Sequence, residues 1–249
     1  MKHKSRLDLE ILRRGLAESR SRAQALIMAG KVRVKGEKIT KSGTAVSEEA
    51  EIEVEAPEHP WVSRGALKLK AALDEFGIDP DGRDCLDVGA STGGFTHLLL
   101  DRGARRVIAL DVGHNQLDWK LRSDERVVVM EGVNARHLQE GDLPFDVELI
   151  SMDLSFISLR LVIPAVLPFL REGGLLICLI KPQFEAGREQ VGRGGIVRDE
   201  EIRRRTIDGV VEAIEELGLE KLGLISSPIK GRMGNQEELA VFRKRGSTA

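Results

Sequence analysis

A glycine-rich turn is the first stretch of the sequence whose residue types suit chemistry. Residues 85–88 form an apolar run, the turn 89–94 follows, and residues 95–100 carry a helical pattern of apolar side chains. Strand, glycine-rich turn and helix in this order hold nucleotide-like cofactors in doubly wound α/β sheets, because glycine lets the backbone turn tightly and approach the ligand. The spacing is Gly-x-x-x-Gly-Gly, whereas dinucleotide enzymes carry Gly-x-Gly-x-x-Gly. The turn therefore predicts a cofactor site and argues against a nicotinamide dehydrogenase.

Two carboxylates narrow the choice of cofactor. Asp87 lies in the first apolar run, and Asp111 ends the next run 24 residues later. A carboxylate at this second position can accept hydrogen bonds from both ribose hydroxyls of an adenosine. Two such carboxylates around the turn suit S-adenosylmethionine, which has ribose hydroxyls and an amino group but no phosphates. An ordinary strand–helix turn without a ligand is the alternative, and Asp111 favours the cofactor site.

Further charged residues follow other apolar runs. Residues 147–152 end on Asp153, and residues 175–180 end on Lys181. In open α/β sheets the ligand lies beyond the carboxyl ends of the strands. Both side chains are therefore expected beside the glycine-rich turn 89–94, here called the cofactor turn. Glu237 opens a terminal antiparallel strand, which would place it at the same edge. Because Glu238 adjoins it, the sequence does not decide which of these two glutamates belongs to the site.

A lysine on the preceding helix borders an apolar stripe. A helix capped by Ser63 and starting near Gly65 is predicted to carry its stripe on Leu69, Ala72, Leu73 and Phe76. Lys68 lies in line with that stripe, so we expect it to be partly buried. On geometry alone, a lysine whose stem covers apolar surface while its amine reaches water is the simpler interpretation.

The remaining pattern predicts the elements that position these residues. Helical stretches, including residues 161–170 and a long helix from Asp199 to about residue 217, separate apolar strands. Residues 183–198, rich in Gly and Arg, either close over an RNA backbone or form a disordered surface loop. The alternation predicts an α/β fold with strands at 85–88, 107–110, 127–130, 147–152 and 175–180, and two last strands at 222–226 and 239–242.

Charge is distributed unevenly along the chain. Residues 1–41 contain 12 Lys and Arg against 4 Asp and Glu, a net charge of +8, which leaves −10 on the rest of a 249-residue chain of net charge −2. This asymmetry favours a nucleic-acid-binding module on a separate domain. Cys85 and Cys178 lie in apolar runs and are expected to be buried thiols in a reducing compartment, with no metal site. Neither a signal peptide nor an apolar run of about 18 residues is found, so a cytoplasmic protein without a membrane partner is expected.

The basic N-terminal region resembles a known RNA-binding module. A helix over residues 6–14, a second helix capped by Ser19, a basic strand over residues 31–36 and a strand over residues 52–54 follow one another. This order, over roughly residues 5–56, resembles the S-four domain, a small module named after a ribosomal protein. A solvated basic surface is the alternative. The resemblance implies that the second helix and the following strand face RNA, with candidate contacts at Arg6, Arg20, Arg22, Lys31, Arg33 and Lys35.

The charged residues of the sheet edge resemble a known catalytic set. Lys68, Asp153, Lys181 and Glu237 are similar to the Lys-Asp-Lys-Glu tetrad of FtsJ-like RNA ribose 2′-O-methyltransferases. Together with the S-four-like module, the chain resembles the hemolysin-like TlyA family. It departs from that family at the linker, where His59-Pro60 stands in place of a basic residue near Trp61. The matching motifs are residues 62–69, 87–96, 153–158, 181–185 and 234–237.

This resemblance implies a fold, a reaction and a set of roles. The fold is a Rossmann-like S-adenosylmethionine-dependent methyltransferase domain over residues 65–249, joined by the linker 58–64 to an S-four-like domain over residues 1–57. The methyl acceptor is a cytidine ribose of ribosomal RNA, free or in a ribosomal subunit. The cofactor is expected to contact Asp87, with Gly89, Ser91, Gly93, Phe95 and Thr96 at its methionine end, Asp111 at its ribose and Asn134 at its adenine.

The chemistry assigns different roles to the two lysines. A ribose hydroxyl must lose its proton as it attacks the methyl group, and a lysine beside another lysine is disfavoured as a cation, so it can act as the base. We assign this role to Lys181. Lys68 then positions the hydroxyl or its neighbouring phosphate, while Asp153 and Glu237 hold the lysines. The alternatives are an RNA-binding protein with an inactive methyltransferase fold and a pore-forming hemolysin.

Overall fold

The computed structural model describes residues 4–17, 19–55, 59–231 and 234–246. The chain divides into two compact units, Met1–Pro60 and Trp61–Ala249, here called the N-terminal and C-terminal units. Glu58, the first residue of the predicted linker, lies outside the described residues, and the proposed limits of the domains stay a prediction.

The N-terminal unit is a small α+β module. Its strands form an antiparallel pair, β1 with β4, and a three-stranded antiparallel sheet in the order β3-β2-β5. Ser19 caps the second helix as predicted, since its Oγ accepts a hydrogen bond from the backbone N–H of Arg22. The elements are β1 Lys4–Arg6, α1 Leu7–Arg13, α2 Arg20–Met28, β2 Val32–Val34, β3 Glu37–Lys38, β4 Ala45–Ser47 and β5 Ile52–Val54.

Apolar side chains from both helices fill the core of this unit. Leu7, Ile11, Ala23 and Ile27 are fully buried, and Val32 packs against them from the sheet. The helices present these residues on one face each, and their basic residues stay at the surface. The core is therefore built on the helices and strands that the S-four pattern predicted.

The C-terminal unit is built on a seven-stranded mixed sheet in the order β11-β12-β10-β9-β6-β7-β8. β12 is antiparallel to both its neighbours, and the pairs from β10 to β8 are parallel. The terminal antiparallel strand was predicted, and its register places Glu238 opposite Ile180. The strands are β6 Asp84–Val88, β7 Arg106–Asp111, β8 Val127–Glu131, β9 Val147–Met152, β10 Leu170–Ile180, β11 Leu219–Ser226 and β12 Glu238–Lys244.

Helices cover both faces of this sheet. Alternate strand residues point to opposite faces, so Leu86 belongs to one core and Cys85 to the other. The first core includes α6 and α8, and the second includes α3 and α4. Burial on both faces confirms the predicted Rossmann-like α/β sheet. The helices are α3 Ala66–Glu75, α4 Gly94–Asp101, α5 Trp119–Arg122, α6 Leu159–Val166, α7 Pro182–Glu185 and α8 Glu200–Glu215.

Several predicted boundaries differ from the observed ones. Ser63 does not cap α3; Gly65 occupies the N-cap position, and Ser63 supplies only its carbonyl oxygen to the N–H of Ala66. The predicted helix over 161–170 begins at Leu159 and gives way after Val166 to a 3-10 turn, so β10 already begins at Leu170. Asp199 caps α8 as predicted, accepting from two backbone N–H groups.

The glycine-rich loop after β10 contains regular structure. Besides α7 it includes a 3-10 turn at Arg188–Gln190 and an isolated bridge between Gly192 and Ile196. The buried amide of Asn235 accepts from the N–H of Val197 at 3.3 Å and donates to the carbonyl of Gly195 at 2.8 Å. These bonds hold the end of the loop beside the segment that precedes β12.

Substitution of Gly93 tests the packing of the cofactor turn. Gly93 has φ +94°, and a Cβ there would meet the side chains of Leu117 and Leu121. Gly141 has φ +90° but open space around it, so it is a matched control. We expect Gly141→Ala to lower the free energy of unfolding by about 1–2 kcal/mol, the cost of left-handed backbone. Gly93→Ala should cost about 1–3 kcal/mol more, because the core is overpacked. Urea denaturation measures both, and equal losses would contradict this packing.

Candidate active site

Two adjoining cavities lie at the carboxyl ends of β6, β7, β9 and β10. The larger, about 370 Å³, contains Asp111 and Asn134 in its wall. The smaller, about 200 Å³, is lined in part by Phe95 and Lys181. Gly89, Ser91, Asp153 and Ser155 line both. A nucleotide-like molecule in the larger cavity would therefore lie next to the charged residues of the smaller one.

A third, larger hollow of about 590 Å³ is separate from these two cavities. It is bounded by α8, β11 and the start of β12, and its walls are mostly charged side chains such as Arg203 and Glu238. Arg203 pairs with Glu200 and Glu238 across its wall. The hollow shares no lining residue with the two cavities at the strand ends, so its size does not make it the candidate site.

Gly89 allows the first turn to approach the end of β9. Its φ is +85°, and a Cβ there would lie 2.7 Å from the carbonyl oxygen of Asp153 and 3.1 Å from a methyl of Leu154. Only glycine fits both the backbone conformation and this space. The close approach brings the cofactor turn and the charged end of β9 onto the same cavity wall.

Asp87 braces the turn from inside the protein. Its carboxylate is fully buried and accepts from the N–H and the hydroxyl of Thr96, at 2.9 and 2.7 Å, and from the hydroxyl of Ser151 at 3.2 Å. Burial raises the pKa of Asp87 to about 7, the charge of Asp153 acts in the same direction, and the hydrogen bonds oppose both.

The structure therefore places three predicted cofactor contacts behind the cavity wall. Asp87 and Thr96 bond to each other, and Gly93 packs toward Leu117 and Leu121. None of the three lines either cavity. Their spacing indicated the turn, but the side-chain directions were set by packing against β9 and α5.

Asp111 and Asn134 do lie at the larger cavity. Asp111 accepts from the N–H of Ser91 at 2.8 Å and from the N–H of Gly113 at 2.7 Å. Each carboxylate oxygen keeps a further lone pair for a ligand. Asn134 accepts from the N–H of Arg136 at 3.1 Å, and its amide N–H groups have no hydrogen-bond acceptor in the part of the chain that the structure describes.

Sequence reasoning missed the residues that shape the rest of this cavity. Glu131, at the end of β8, accepts from the N–H groups of residues 115–117 and from Arg122, so it orders the loop after Asp111. The hydrogen bond from Arg122 is the main reason that the pKa of Glu131 falls to about 2. The signal in the sequence that could have indicated Glu131 was its position as a carboxylate at the end of a strand. The apolar walls come from Val112, Val133, Leu154, Phe156 and Ile157.

The four residues of the Lys-Asp-Lys-Glu set lie together. Lys68 Nζ is 2.7 Å from Glu237 Oε2 and 4.0 Å from Asp153 Oδ2, and Lys181 Nζ is 2.6 Å from Asp153 Oδ1. Both lysines are 8% exposed and Glu237 is 2% exposed. They come from α3, the ends of β9 and β10, and the residue before β12. We call these four residues the charged cluster; their catalytic roles stay a prediction.

The register of β12 separates the two neighbouring glutamates. Glu237 faces the charged cluster and also accepts from the amide of Gln183 at 3.3 Å. Glu238 faces the opposite side, where it accepts from Arg203 at 3.1 Å and from Ser226 at 3.0 Å. The structure thus places Glu237, and not Glu238, beside the lysines.

The basic residues of the N-terminal unit differ in their partners. Arg6 and Arg20 both donate to the buried carboxylate of Asp8, at 3.0 Å. These bonds hold the pKa of Asp8 well below its usual range, and the bond from Arg6 has the largest effect. Lys31 pairs with Glu55 at 2.8 Å. Arg6 and Arg20 therefore stabilise the module as well as adding to its charge.

The remaining candidate RNA contacts, Arg22, Arg33 and Lys35, are exposed. Arg33 donates to the carbonyl of Gly36 at 3.2 Å. Arg22 and Lys35 are exposed and have no ion-pair partner within the part of the chain that the structure describes. Their charges are thus free for a ligand.

Family models match both units of the chain. The model for FtsJ-like methyltransferase matches residues 61–244, and the model for the S4 domain, the S-four module described above, matches residues 5–52. The first match covers most of the chain. No helix among the described residues is long and apolar enough to span a membrane.

Individual relatives match over nearly the full length. The 16S/23S rRNA (cytidine-2′-O)-methyltransferase TlyA of Mycobacterium tuberculosis is 49% identical over 250 residues, 100% of this chain and 93% of that protein. Hemolysin A of Brachyspira hyodysenteriae is 43% identical, over 95% of this chain and 99% of that protein. A solved structure from Streptococcus thermophilus, described as a candidate hemolysin, is 42% identical with a TM-score of 0.77, over 99% of this chain and 90% of that one.

The buried carboxyl group of Asp87 predicts a pH-dependent stability. Its folded pKa of about 7 lies above the ordinary 3.8, so the native state holds this proton more tightly than the unfolded state. The contribution of Asp87 to the free energy of unfolding is thus complete below about pH 4 and falls as the pH rises toward 7, by on the order of 4 kcal/mol. The Asp87→Asn side chain cannot ionise. The free energy of unfolding of this variant, minus that of the unchanged protein, should therefore rise between about pH 4 and 7. Urea denaturation from pH 4 to 8 measures the difference.

Asp84→Asn provides the control for this measurement. Asp84 begins the same strand and is buried, but hydrogen bonds from Arg105 and Arg106 hold its pKa well below the usual range. Its contribution is lost only as the pH falls, so the Asp84→Asn difference should be level between pH 5 and 8. A level difference for Asp87→Asn as well would contradict the assignment of a raised pKa to Asp87.

Proposed function

The chain belongs to the FtsJ-like methyltransferase family, in a form that carries an S-four domain, and we propose that it transfers a methyl group from S-adenosylmethionine to the 2′-hydroxyl of a cytidine ribose in ribosomal RNA. The charged cluster beside the cofactor turn carries this proposal. The named activity of the Mycobacterium tuberculosis relative supports cytidine as the nucleotide and ribosomal RNA as the substrate.

The larger cavity fits the proposed cofactor. Gly89 leaves a space that a Cβ would fill, Asp111 offers lone pairs to ribose hydroxyls, and Leu154 and Ile157 supply apolar wall beside Asn134. Ser91 and Phe95 lie toward the smaller cavity, on the side proposed for the methionine end. When bound, S-adenosylmethionine supplies a methyl group already activated by its sulfonium, so the protein has mainly to align the acceptor.

Lys181 is proposed as the base that takes the proton of the ribose hydroxyl. A base must lie where the acceptor hydroxyl approaches, and Lys181 lines the smaller cavity while Asp153 holds its amine at 2.6 Å. Lys68 is held by the buried carboxylate of Glu237, and its proposed role is to orient the hydroxyl or an adjoining phosphate. Asp153 lies between the two lysines and fixes their separation.

The residues at this edge suit a ribose oxygen better than a base atom. Methylation of pyrimidine carbon uses a cysteine nucleophile, but Cys85 and Cys178 are buried within β6 and β10. Burial raises the pKa of Cys85 to about 12, so its thiol stays protonated. Asp153 is followed by Leu154-Ser155-Phe156, which has neither a proline nor an amide to hold an exocyclic amine.

An exposed aromatic ring supports a nucleic-acid acceptor. Phe156 is 88% exposed although it lies in the wall of the larger cavity. Its φ of +67° is unusual for a residue with a bulky side chain, and such backbone clusters at functional sites. A second ring, Phe184, packs against it with centroids 5.0 Å apart. Rings of this kind accept a base that has left its stack.

In this proposal the two domains divide the work. Residues 1–57 bind ribosomal RNA or a ribosomal subunit, residues 58–64 connect, and residues 65–249 hold the cofactor and transfer the methyl group. A ribosomal substrate places the reaction in the cytoplasm. The complete charged cluster argues against an RNA-binding protein whose methyltransferase fold is inactive.

Alkaline hydrolysis tests the position of the methyl group. Ribosomal subunits lacking the modification are incubated with the protein and with S-adenosylmethionine labelled in its methyl group, and the RNA is then treated with mild alkali. The 2′-hydroxyl is the nucleophile in alkaline cleavage, so a methylated linkage should survive and carry the label in a dinucleotide. Lys181→Ala should bind the cofactor with unchanged affinity in calorimetric titration but transfer no methyl group. Label released in mononucleotides would identify a base as the acceptor and overturn the proposal.

Salt dependence tests the RNA face of the N-terminal unit. Because Arg22 and Lys35 are exposed and free of ion pairs within the described residues, the double variant Arg22→Glu and Lys35→Glu should fold normally. If each contacts one phosphate, the slope of log affinity for ribosomal RNA against log salt should flatten by about 1.4–1.8. Lys221→Glu, an equally exposed lysine of the C-terminal unit, is the control and should leave the slope unchanged. An unaffected slope in the double variant would place the RNA face elsewhere.

A further inference from the structure

Ser155 contacts the proposed base although it lies outside the charged cluster. Its Oγ accepts a hydrogen bond from Lys181 Nζ at 2.9 Å, and its side chain lines both cavities. The residue is exposed, whereas Lys181 is buried. The hydroxyl therefore lies on the cavity side of the lysine, where an acceptor has to approach.

The contacts of Lys181 differ in their directional character. Asp153 Oδ1 is 2.6 Å away, but the angles of this ion pair fall outside hydrogen-bond geometry, and Oδ1 has no hydrogen-bond donor among the described residues. The contact with Ser155 meets both the distance and the angles of a hydrogen bond. An ion pair attracts from any direction, whereas a hydrogen bond sets the orientation of the N–H that makes it.

The orientation of the amine matters for a base. A neutral lysine amine has two N–H groups and one lone pair in tetrahedral arrangement, and it can rotate about its last carbon–nitrogen bond. The hydrogen bond to Ser155 fixes one N–H and so stops this rotation. Non-directional attraction by Asp153 draws the second N–H to its side, which leaves the lone pair on the remaining direction. Without the Ser155 hydroxyl, attraction to Asp153 alone would leave the amine free to turn its lone pair away.

We infer that Ser155 is a positioning residue that aims the lone pair of Lys181 at the acceptor hydroxyl. This inference rests on the proposed function. The hydroxyl proton passes to Lys181 Nζ while the ribose oxygen forms its bond to the methyl carbon, and the electron pair of the broken carbon–sulfur bond goes to sulfur. Ser155 exchanges no proton and takes no part in bond formation; it restricts the rotation of the amine.

Kinetics of Ser155 variants provide the first test. Ser155→Ala should lower kcat by about 10- to 100-fold, the scale of a small misalignment of a reacting group. The KM for RNA and the calorimetric Kd for S-adenosylmethionine should be unchanged. Ser155→Thr should restore kcat, because it keeps the hydroxyl and the exposed site has room for a methyl group.

Ser158→Ala is the matched control. It removes a hydroxyl three residues further along, which donates to Glu185 at 2.6 Å and caps α6 through the N–H of Arg160. This variant should lower the melting temperature without lowering kcat. A kcat loss in Ser155→Ala without a loss of melting temperature separates positioning from general destabilisation.

Lysine labelling provides a readout that needs neither cofactor nor RNA. The protein alone is treated with limiting acetic anhydride, and acetylation of Lys181 is measured by mass spectrometry relative to the exposed Lys221. Loss of the Ser155 hydrogen bond frees the amine, so labelling of Lys181 should rise in Ser155→Ala and return in Ser155→Thr.

The outcomes separate this inference from the proposed function. Unchanged kcat in Ser155→Ala, a parallel loss of cofactor affinity, or a failure of Ser155→Thr to rescue would each overturn the positioning role. Absence of ribose methylation by the native protein would instead overturn the proposed function. Labelling then decides alone: an unchanged rate at Lys181 in Ser155→Ala would refute the restraint, and a raised rate would support it.

Discussion

The buried pairing of two lysines with two carboxylates is the interaction on which the C-terminal unit depends. Lys68 and Lys181 are almost fully buried, and an unpaired charge in such a place costs several kcal/mol. Their partners Glu237 and Asp153 come from distant parts of the chain. The cluster can therefore form only when the helix before the sheet, two parallel strands and the terminal antiparallel strand are all in place. Pairing with the carboxylates makes the charges of the two lysines tolerable in this buried position.

The cofactor turn depends on a second constraint, which is the close approach of β6 to the end of β9. Gly89 permits this approach, and Asp87 fixes the turn by accepting three hydrogen bonds from Thr96 and Ser151. Asp87 is held in an environment that disfavours its charge, so the turn gives up some stability for its geometry. The two constraints meet at Asp153, whose carbonyl contacts the glycine while its carboxylate contacts the lysines.

The sequence alone determined the fold class and the residues that meet at the site. Apolar runs of strand length, each ending on a charged residue, predict a parallel sheet with its ligand at the carboxyl edge. That rule placed Asp111, Asp153 and Lys181 at one edge, and the cavities there include all three. The apolar stripe of α3 indicated that Lys68 is partly buried, but the simpler interpretation, an amine that reaches water, was wrong, since Lys68 is buried and its Nζ contacts Glu237. Local signals also predicted the caps at Ser19 and Asp199, because a cap depends on neighbours within three residues.

Only the tertiary structure decided which way individual side chains point. The sequence predicted Asp87 and Thr96 as cofactor contacts, but in the structure they bond to each other. Both are fully buried between β6, α4 and β9 and so do not reach the cavity. The register of β12 against β10 selects Glu237 over Glu238, since successive strand residues face opposite sides. The contact of Ser155 with Lys181 has no signal in the sequence, because it spans 26 residues and depends on two strand ends meeting. Spacing along the chain fixes which residues reach an edge, whereas packing between distant elements fixes their orientation there.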